Sequence, residues 1–235
     1  SEVAAHSLYL LGQLAVRAED WPRVSPPLTR LCDEHPDSPL CSSAAYWLAE
    51  AAYRSGQFRD AQLRFDELAL TTEPQDVRWY PMVQLRRAEV LAQQKRWDEA
   101  RDLATTVARR FPDFEKQHEV DYLIGRCLAS RARFREAREA YLRVVHSEQG
   151  RSTETAAMAQ WMIGETFFHQ QEYDQAIRAY HRVESLYGFP KWQAAALLQA
   201  AKCHELKGER TAALRLYAQV VKDYPESEYA AQASR

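Results

Sequence analysis

The 235-residue chain is short of turn-forming residues and of the patterns that usually carry chemistry. It holds seven Gly and ten Pro, too few for a loop-rich or many-stranded domain, so most of it is expected in long helices. No apolar run reaches the roughly 18–20 residues that cross a bilayer, so no membrane-spanning segment is expected. Charge of one sign is not in excess: 31 basic residues meet 33 acidic ones for a net of −2, with the signs interleaved. A nucleic-acid binder normally carries a basic face or stripe, so no nucleic-acid partner is expected either. The four cysteines, Cys32, Cys41, Cys127 and Cys203, form no CxxC pair and have no His at zinc-ligand spacing. Cys32 and Cys41 flank a short turn that an oxidising compartment would let them bridge, and reduced thiols are the reading that composition favours.

Catalytic signatures are missing too. There is no Gly-rich phosphate loop, no H-E-x-x-H and no G-x-S-x-G. The seven histidines, His6, His35, His118, His146, His169, His181 and His204, are scattered without the i, i+4 pairing that holds a metal. In "CHELKGE" Cys203, His204 and Glu205 are helix neighbours that point in different directions. The basic run "RARFREAREA" reads as a solvated helix face with Arg and Glu at mutually supporting spacing. No enzyme, cofactor or metal is expected.

What the chain does contain is one short helix written repeatedly: "QFRDAQLRFDEL", "RWDEARDLATTV", "RFREAREAYLRV", "EYDQAIRAYHRV" and "ERTAALRLYAQV". Aligned on a small residue, the copies give Val24, Ala61, Ala100, Ala137, Ala176 and Ala213, at intervals of 37, 39, 37, 39 and 37. Four positions later stands a larger apolar residue, Leu28, Phe65, Tyr141, Tyr180 or Tyr217, with Ala104 the exception. Three positions earlier comes an aromatic, Trp21, Phe58, Trp97, Phe134 or Tyr173, replaced by Arg210 in the last copy. Twelve positions earlier lies another small residue: Gly12, Ala49, Ala88, Gly125, Gly164 or Ala201. Helices approach closely where side chains are small, and a bulky neighbour fills the space beside the contact. Each copy is therefore expected to be a helical hairpin with a tight turn such as "SGQ" or "KGE". Pro36, Pro74, Pro112, Pro190 and Pro225 follow the second helices, where proline cannot continue a helix. The expected fold is all-α, a single helical-hairpin solenoid of about six repeats over 5–38, 39–77, 78–115, 116–153, 154–190 and 191–235. In the first copy Pro22, Pro26 and Pro27 stand where the second helix begins, which predicts a delayed or bent helix and an edge repeat that acts as a cap.

"WMIGETFFHQQEYDQAIRAYHRVESLYGFP" resembles the tetratricopeptide repeat, and the likeness extends over almost the whole chain. The copies exceed that family's usual unit, so some helices or inter-repeat loops are expected to be extended. "DEHPDSPLCSSAAYWLAEA" and "KDYPESEYAAQA" carry a Pro-x-Ser turn similar to bacterial cell-envelope members, such as the periplasmic Tol-Pal-associated protein and the β-barrel-assembly lipoprotein. That likeness implies the periplasm or cell envelope, with the cytoplasm as the alternative. The final stretch "YPESEYAAQASR" reads as the opening of another helix, as in a fragment of a longer chain.

The resemblance implies a right-handed superhelix whose first helices line a concave groove. Carried onto this sequence, the inward set is Tyr9, Gln13 and Val16, then Tyr46, Glu50 and Tyr53, then Leu85 and Glu89. It continues with Tyr122 and Arg126, then Trp161, Glu165 and Phe168, and ends at Leu198, Lys202 and Glu205. Amphipathic aromatics beside fixed charges suit peptide recognition, whereas Trp97, Phe134 and Tyr180 are assigned to packing. The Lys and Asn clamp that some members use to hold a chaperone's terminal carboxylate is absent. Glu50, Glu89 and Glu165 in line favour a partner carrying Lys or Arg, with Arg126 and Lys202 admitting some acidic positions. The expected function is a non-catalytic scaffold holding a peptide or partner helix. The alternative is a spacer, or an array that self-associates through its repeat ends.

Overall fold

The computed structural model describes residues 2–71 and 79–234. Pro74, expected after a second helix, lies outside them. The described residues form thirteen α-helices and no strand, in two compact units, Ser1–Val107 and Ala108–Arg235. The first unit holds α1 (Glu2–Arg17), α2 (Trp21–Glu34), α3 (Leu40–Arg54), α4 (Phe58–Thr71), α5 (Tyr80–Gln93) and most of α6 (Trp97–Arg110). The second holds α7 (Gln117–Ser130), α8 (Phe134–His146), α9 (Glu154–His169), α10 (Tyr173–Leu186), α11 (Pro190–Leu206), α12 (Arg210–Asp223) and α13 (Glu228–Ala233). Odd-numbered helices from α1 to α11 are the first helices of six hairpins.

One turn closes all six hairpins. A residue in the left-handed region follows each first helix: Glu19, Gly56, Lys95, Ala132, Gln171 and Gly208, with φ between 53° and 78°. The next N–H reaches back five residues, Asp20 to Ala15, Gln57 to Ala52, Arg96 to Leu91, Arg133 to Leu128, Glu172 to Phe167 and Glu209 to His204, at 2.8–3.0 Å. This satisfies a carbonyl that the helix end leaves orphaned. The repeat's aromatic then opens the second helix at Trp21, Phe58, Trp97, Phe134 and Tyr173, with Arg210 in its place in α12.

Because this turn is constant, the variable length falls in the connections from second helix to next first helix. Residues 147–153 join α8 to α9, but only 187–189 join α10 to α11. Pro36, Pro112 and Pro225 lie in such connections, and Pro190 opens α11. Ser227 caps α13, accepting from the Ala230 N–H at 3.2 Å. The corresponding Ser38 stands one residue short of that role: it accepts from the Leu40 N–H at 3.3 Å while Pro39 is the cap residue.

The first copy departs from expectation. α2 starts on Trp21, in register with the other second helices, and is not delayed. Pro22 sits in the first turn, where a missing N–H costs nothing. Pro26 and Pro27 lie inside the helix, at about 3 kcal/mol each. Complete burial of Val24, Leu28 and Leu31, about 1.5–3 kcal/mol apiece, offsets that cost.

Packing follows the small-and-large register. Val24, Ala61, Ala100, Ala137, Ala176 and Ala213 are buried, and Leu28, Phe65, Ala104, Tyr141 and Tyr180 are fully so. A β-carbon added to Gly12, Gly125 or Gly164 would fall 2.4, 2.5 or 2.3 Å from Leu28, Tyr141 or Tyr180 respectively. In these three hairpins the bulky side chain of the second helix thus lies on the glycine of its own first helix. Within each unit, first helices of successive hairpins touch (α1 with α3, α7 with α9, α9 with α11), and α2, α4, α8 and α10 each sit against the first helices on either side, as α8 does between α7 and α9. First helices are consequently buried on several faces, whereas α10 buries the single stripe Ala176, Ala179, Tyr180 and Val183.

Candidate functional site

The predicted binding residues fall on first helices of both units. Tyr9 (α1), Tyr46, Glu50 and Tyr53 (α3) and Glu89 (α5) belong to the first. Tyr122 and Arg126 (α7), Trp161, Glu165 and Phe168 (α9) and Lys202 (α11) belong to the second. All are half-buried except Glu50, which is 3% exposed. The repeat phasing of 39, 37, 39 and 37 residues puts Glu50, Glu89, Arg126, Glu165 and Lys202 at one register, the position after the small residue of each first helix.

In the first unit these charges are closed on one another. Glu50 accepts from Arg86 Nε and from Arg54 Nε, both at 2.8 Å, and Arg86 Nη1 donates to Glu89 at 2.6 Å. Burial opposes the Arg86 charge, but Glu89 and Glu50 outweigh it and hold its pKa above the ordinary value. The guanidinium also lies 5.3 Å over the Tyr53 ring, within cation–π range. Tyr46 packs against Trp47, Phe65 and Trp79 with centroids 5.2, 6.3 and 5.6 Å away, and Tyr53 against Phe58 at 5.9 Å. Burial pushes both hydroxyls above the usual tyrosine range, so they remain neutral donors.

The second unit treats the same register differently. Glu165 accepts from the Tyr180 hydroxyl at 2.6 Å and from Gln199 Nε2 at 2.7 Å. Gln199 and Arg86 occupy equivalent positions, two residues before Ala201 and Ala88, and each reaches back to the glutamate of the preceding repeat. Tyr217 follows the pattern through Glu205 at 2.9 Å. Arg126 stands where a glutamate stands in its neighbours. Tyr122 packs on Tyr141 at 5.8 Å, and burial raises the Tyr122 pKa to about 12 against the pull of Arg126. Trp161 meets Trp192 at 5.8 Å, and Phe168 meets Tyr173 edge-on at 5.9 Å.

Arg86 was not visible as a site residue from sequence. Its only signal is a lone Arg two residues before the small residue of a first helix, a position held by Trp47, Leu123 and Met162 in other copies. The basic run of α8 is paired within its own helix, Arg133 with Glu136 and Arg135 with Glu139 at 3.7 Å. Arg138 lies 4.2 Å over the Phe167 ring. The four cysteines are free thiols, with Cys32 raised to about 12 by burial and its hydrogen bond to Cys41. Among the described residues no three His, Cys, Asp or Glu side chains gather where a metal ion would sit, and no helix is long and apolar enough to cross a membrane.

A tetratricopeptide repeat-like domain model matches residues 1–160, and a tetratricopeptide repeat model matches 158–188 and 195–227. No curated protein sequence matches the chain. Among solved structures, the type IV pilus biogenesis factor PilW superposes with a TM-score of 0.77 at 16% identity, covering 98% of each chain. PilF of Pseudomonas aeruginosa gives a TM-score of 0.70 at 18% identity over 99% of this chain and 98% of its own. A tetratricopeptide repeat protein of Parabacteroides merdae gives 0.68 at 14% identity over 93% and 79%. At these identities the likeness is one of fold.

Proposed function

The chain belongs to the tetratricopeptide-repeat family, whose repeats generally mediate protein–protein interaction, and from that premise we propose that it is a non-catalytic scaffold that holds a peptide or partner helix on its first-helix face. The observation that carries the proposal is the composition of that face. Half-buried aromatics, Tyr46 and Tyr53 in one unit and Tyr122, Trp161 and Phe168 in the other, alternate with fixed charges. Such side chains bury large area at little entropic cost, while the charges set register. The internal pairing of Glu50, Glu89 and Glu165 shifts the weight of recognition from these glutamates to the aromatics around them and to Arg126 and Lys202. Tyr9 extends the same face in α1.

The Pro-x-Ser turns, together with an end-to-end likeness in fold to a pilus biogenesis factor, support an assembly role in the bacterial cell envelope. A second reading, self-association through the repeat ends, has its own observation. α1 leaves Val3, Leu10, Leu11 and Leu14 between 55% and 77% exposed along its outer side. Light scattering over a concentration range tests it: a mass that rises with concentration supports association, and a constant monomer mass removes it.

The test of the main proposal is affinity capture from lysate of the source organism, comparing the wild type with a Tyr53→Ala/Trp161→Ala variant shown by circular dichroism to remain helical. A protein held by the wild type and lost by the variant is the expected result. Equal retention by both would remove the first-helix face as the binding surface.

A further inference from the structure

Tyr141 is fully buried, yet its hydroxyl has no hydrogen-bond partner. Its equivalents one and two repeats on are both satisfied by a carboxylate of their own first helix: Tyr180 by Glu165, fifteen residues earlier, and Tyr217 by Glu205, twelve residues earlier. The matching positions for Tyr141 hold Arg126 and Ala129, and neither supplies an acceptor. The next first helix does not supply one either. Where Arg86 and Gln199 reach back to the preceding repeat, α9 presents Met162. Among the described residues the Arg126 guanidinium has no hydrogen bond or ion pair. One repeat on, at the register of Tyr122, the Trp161 indole N–H is likewise buried without a partner. Three donors therefore lie on the first-helix side of the second unit, one of them charged. A buried donor left unpaired costs about 1–3 kcal/mol, and what is missing here is an anionic acceptor.

We infer that Arg126 and Tyr141 form a subsite for a carboxylate of the partner segment, either an Asp or Glu side chain or a chain terminus. The carboxylate takes the place that Glu165 fills for Tyr180: the Tyr141 hydroxyl donates to one oxygen, Arg126 supplies the countercharge, and the Tyr122 ring forms the wall. Trp161 is the next donor along the same side. The Tyr141 hydroxyl is closed to solvent, so entry requires rotation of the half-buried Arg126 and Tyr122 side chains. The subsite rests on the scaffold reading above and names the partner's chemistry.

The test uses the full chain and three small probes at matched ionic strength: N-acetylglycine for a chain terminus, N-acetylaspartyl methylamide for an acidic side chain, and N-acetylglycinamide as the neutral isostere. The readout is the backbone N–H resonances of Gly125, which lies against the Tyr141 ring, and of Arg126. Expected is a saturable movement with one or both carboxylates and none with the amide, and the tighter of the two identifies the source. Arg126→Gln and Tyr141→Phe each weaken binding roughly ten- to hundredfold, as for loss of a hydrogen bond to a charged group. Arg126→Glu supplies the acceptor internally, so it abolishes the response and raises the thermal midpoint.

No movement with either carboxylate, an equal response to the amide, a response that survives Tyr141→Phe, or a lowered midpoint in Arg126→Glu would each overturn the subsite. Capture experiments separate it from the reading beneath it. Loss of the captured protein with Tyr53→Ala/Trp161→Ala but full retention with Arg126→Gln leaves the scaffold standing and removes the subsite. Retention by both variants removes the scaffold face itself.

Discussion

Tyr141 and Tyr180 occupy the same position of successive second helices, are equally buried, and differ only in what the hydroxyl meets. Removing that hydroxyl therefore has opposite consequences. Tyr180→Phe deletes a donor to the Glu165 carboxylate and is expected to cost about 1.5–3 kcal/mol, the range for a hydrogen bond to a charged group. Tyr141→Phe deletes an unsatisfied group and is expected to be neutral or stabilising by up to about 1 kcal/mol. Urea unfolding of the two variants side by side decides it, and equal losses would mean that the Tyr141 hydroxyl has a partner after all. The glycines beneath these rings make a second pair. Gly164→Ala drives a β-carbon to 2.3 Å from Tyr180, whereas Gly188→Ala meets nothing within 4 Å. Overpacking costs about 1–3 kcal/mol, so the first variant is expected to lose that much in the same measurement and the second almost nothing.

The element that repeats most faithfully is the hairpin turn, and it repeats in conformation more than in residue type. Its left-handed position holds glycine in only two of six copies, Gly56 and Gly208, and Glu19, Lys95, Ala132 and Gln171 in the rest. An L-residue pays roughly 1–2 kcal/mol in that region, less the extra freedom that glycine loses on folding. Ala132→Gly is accordingly expected to stabilise the chain by about 0.5–1 kcal/mol, and Gly208→Ala to destabilise it by about 1 kcal/mol. Thermal midpoints moving in opposite directions bear this out, while a fall in both would point to a side-chain role for Ala132 that its exposed position does not suggest.

The same contrast explains what was legible in the sequence. Helix pairing could be read because a small residue must face a large one at each crossing, and side-chain volume is written in residue type. The positive φ at Lys95 or Gln171 could not be read, because nothing in those residue types demands it. The start of α2 was misjudged for a related reason: prolines Pro26 and Pro27 carry a local warning, and the burial that overrides it is set by other helices.

At the scale of the molecule, the glutamates that repeat phasing aligns on the first helices are held by contacts that the phasing itself does not show. Glu50 and Glu165 were visible as aligned carboxylates, but the donors that close them, Arg86 and Gln199, lie 36 and 34 residues further on and belong to the next repeat. Sequence phasing aligns like with like, so it does not reveal a pair formed between unlike positions. The two links share geometry and differ in chemistry, and their failure should differ too. Arg86→Met leaves Glu50 nearly buried with Arg54 alone, a partner whose side chain is 47% exposed. Breaking a buried pair on one side costs about 3–5 kcal/mol. Gln199→Met removes a neutral donor from Glu165, which keeps the Tyr180 hydroxyl, and is expected to cost about 1–3 kcal/mol. Repeat arrays transmit stability chiefly between neighbouring repeats, so native-state hydrogen exchange should show the Arg86→Met loss first in the amides of α3 and α5. Adding Glu50→Leu to Arg86→Met removes the stranded carboxylate and is expected to recover most of the loss, since apolar replacement of both partners is often neutral or better. If the double variant were no more stable than Arg86→Met alone, the stranded Glu50 carboxylate would not be the source of the loss, which would then lie in the Arg86–Glu89 pair within α5.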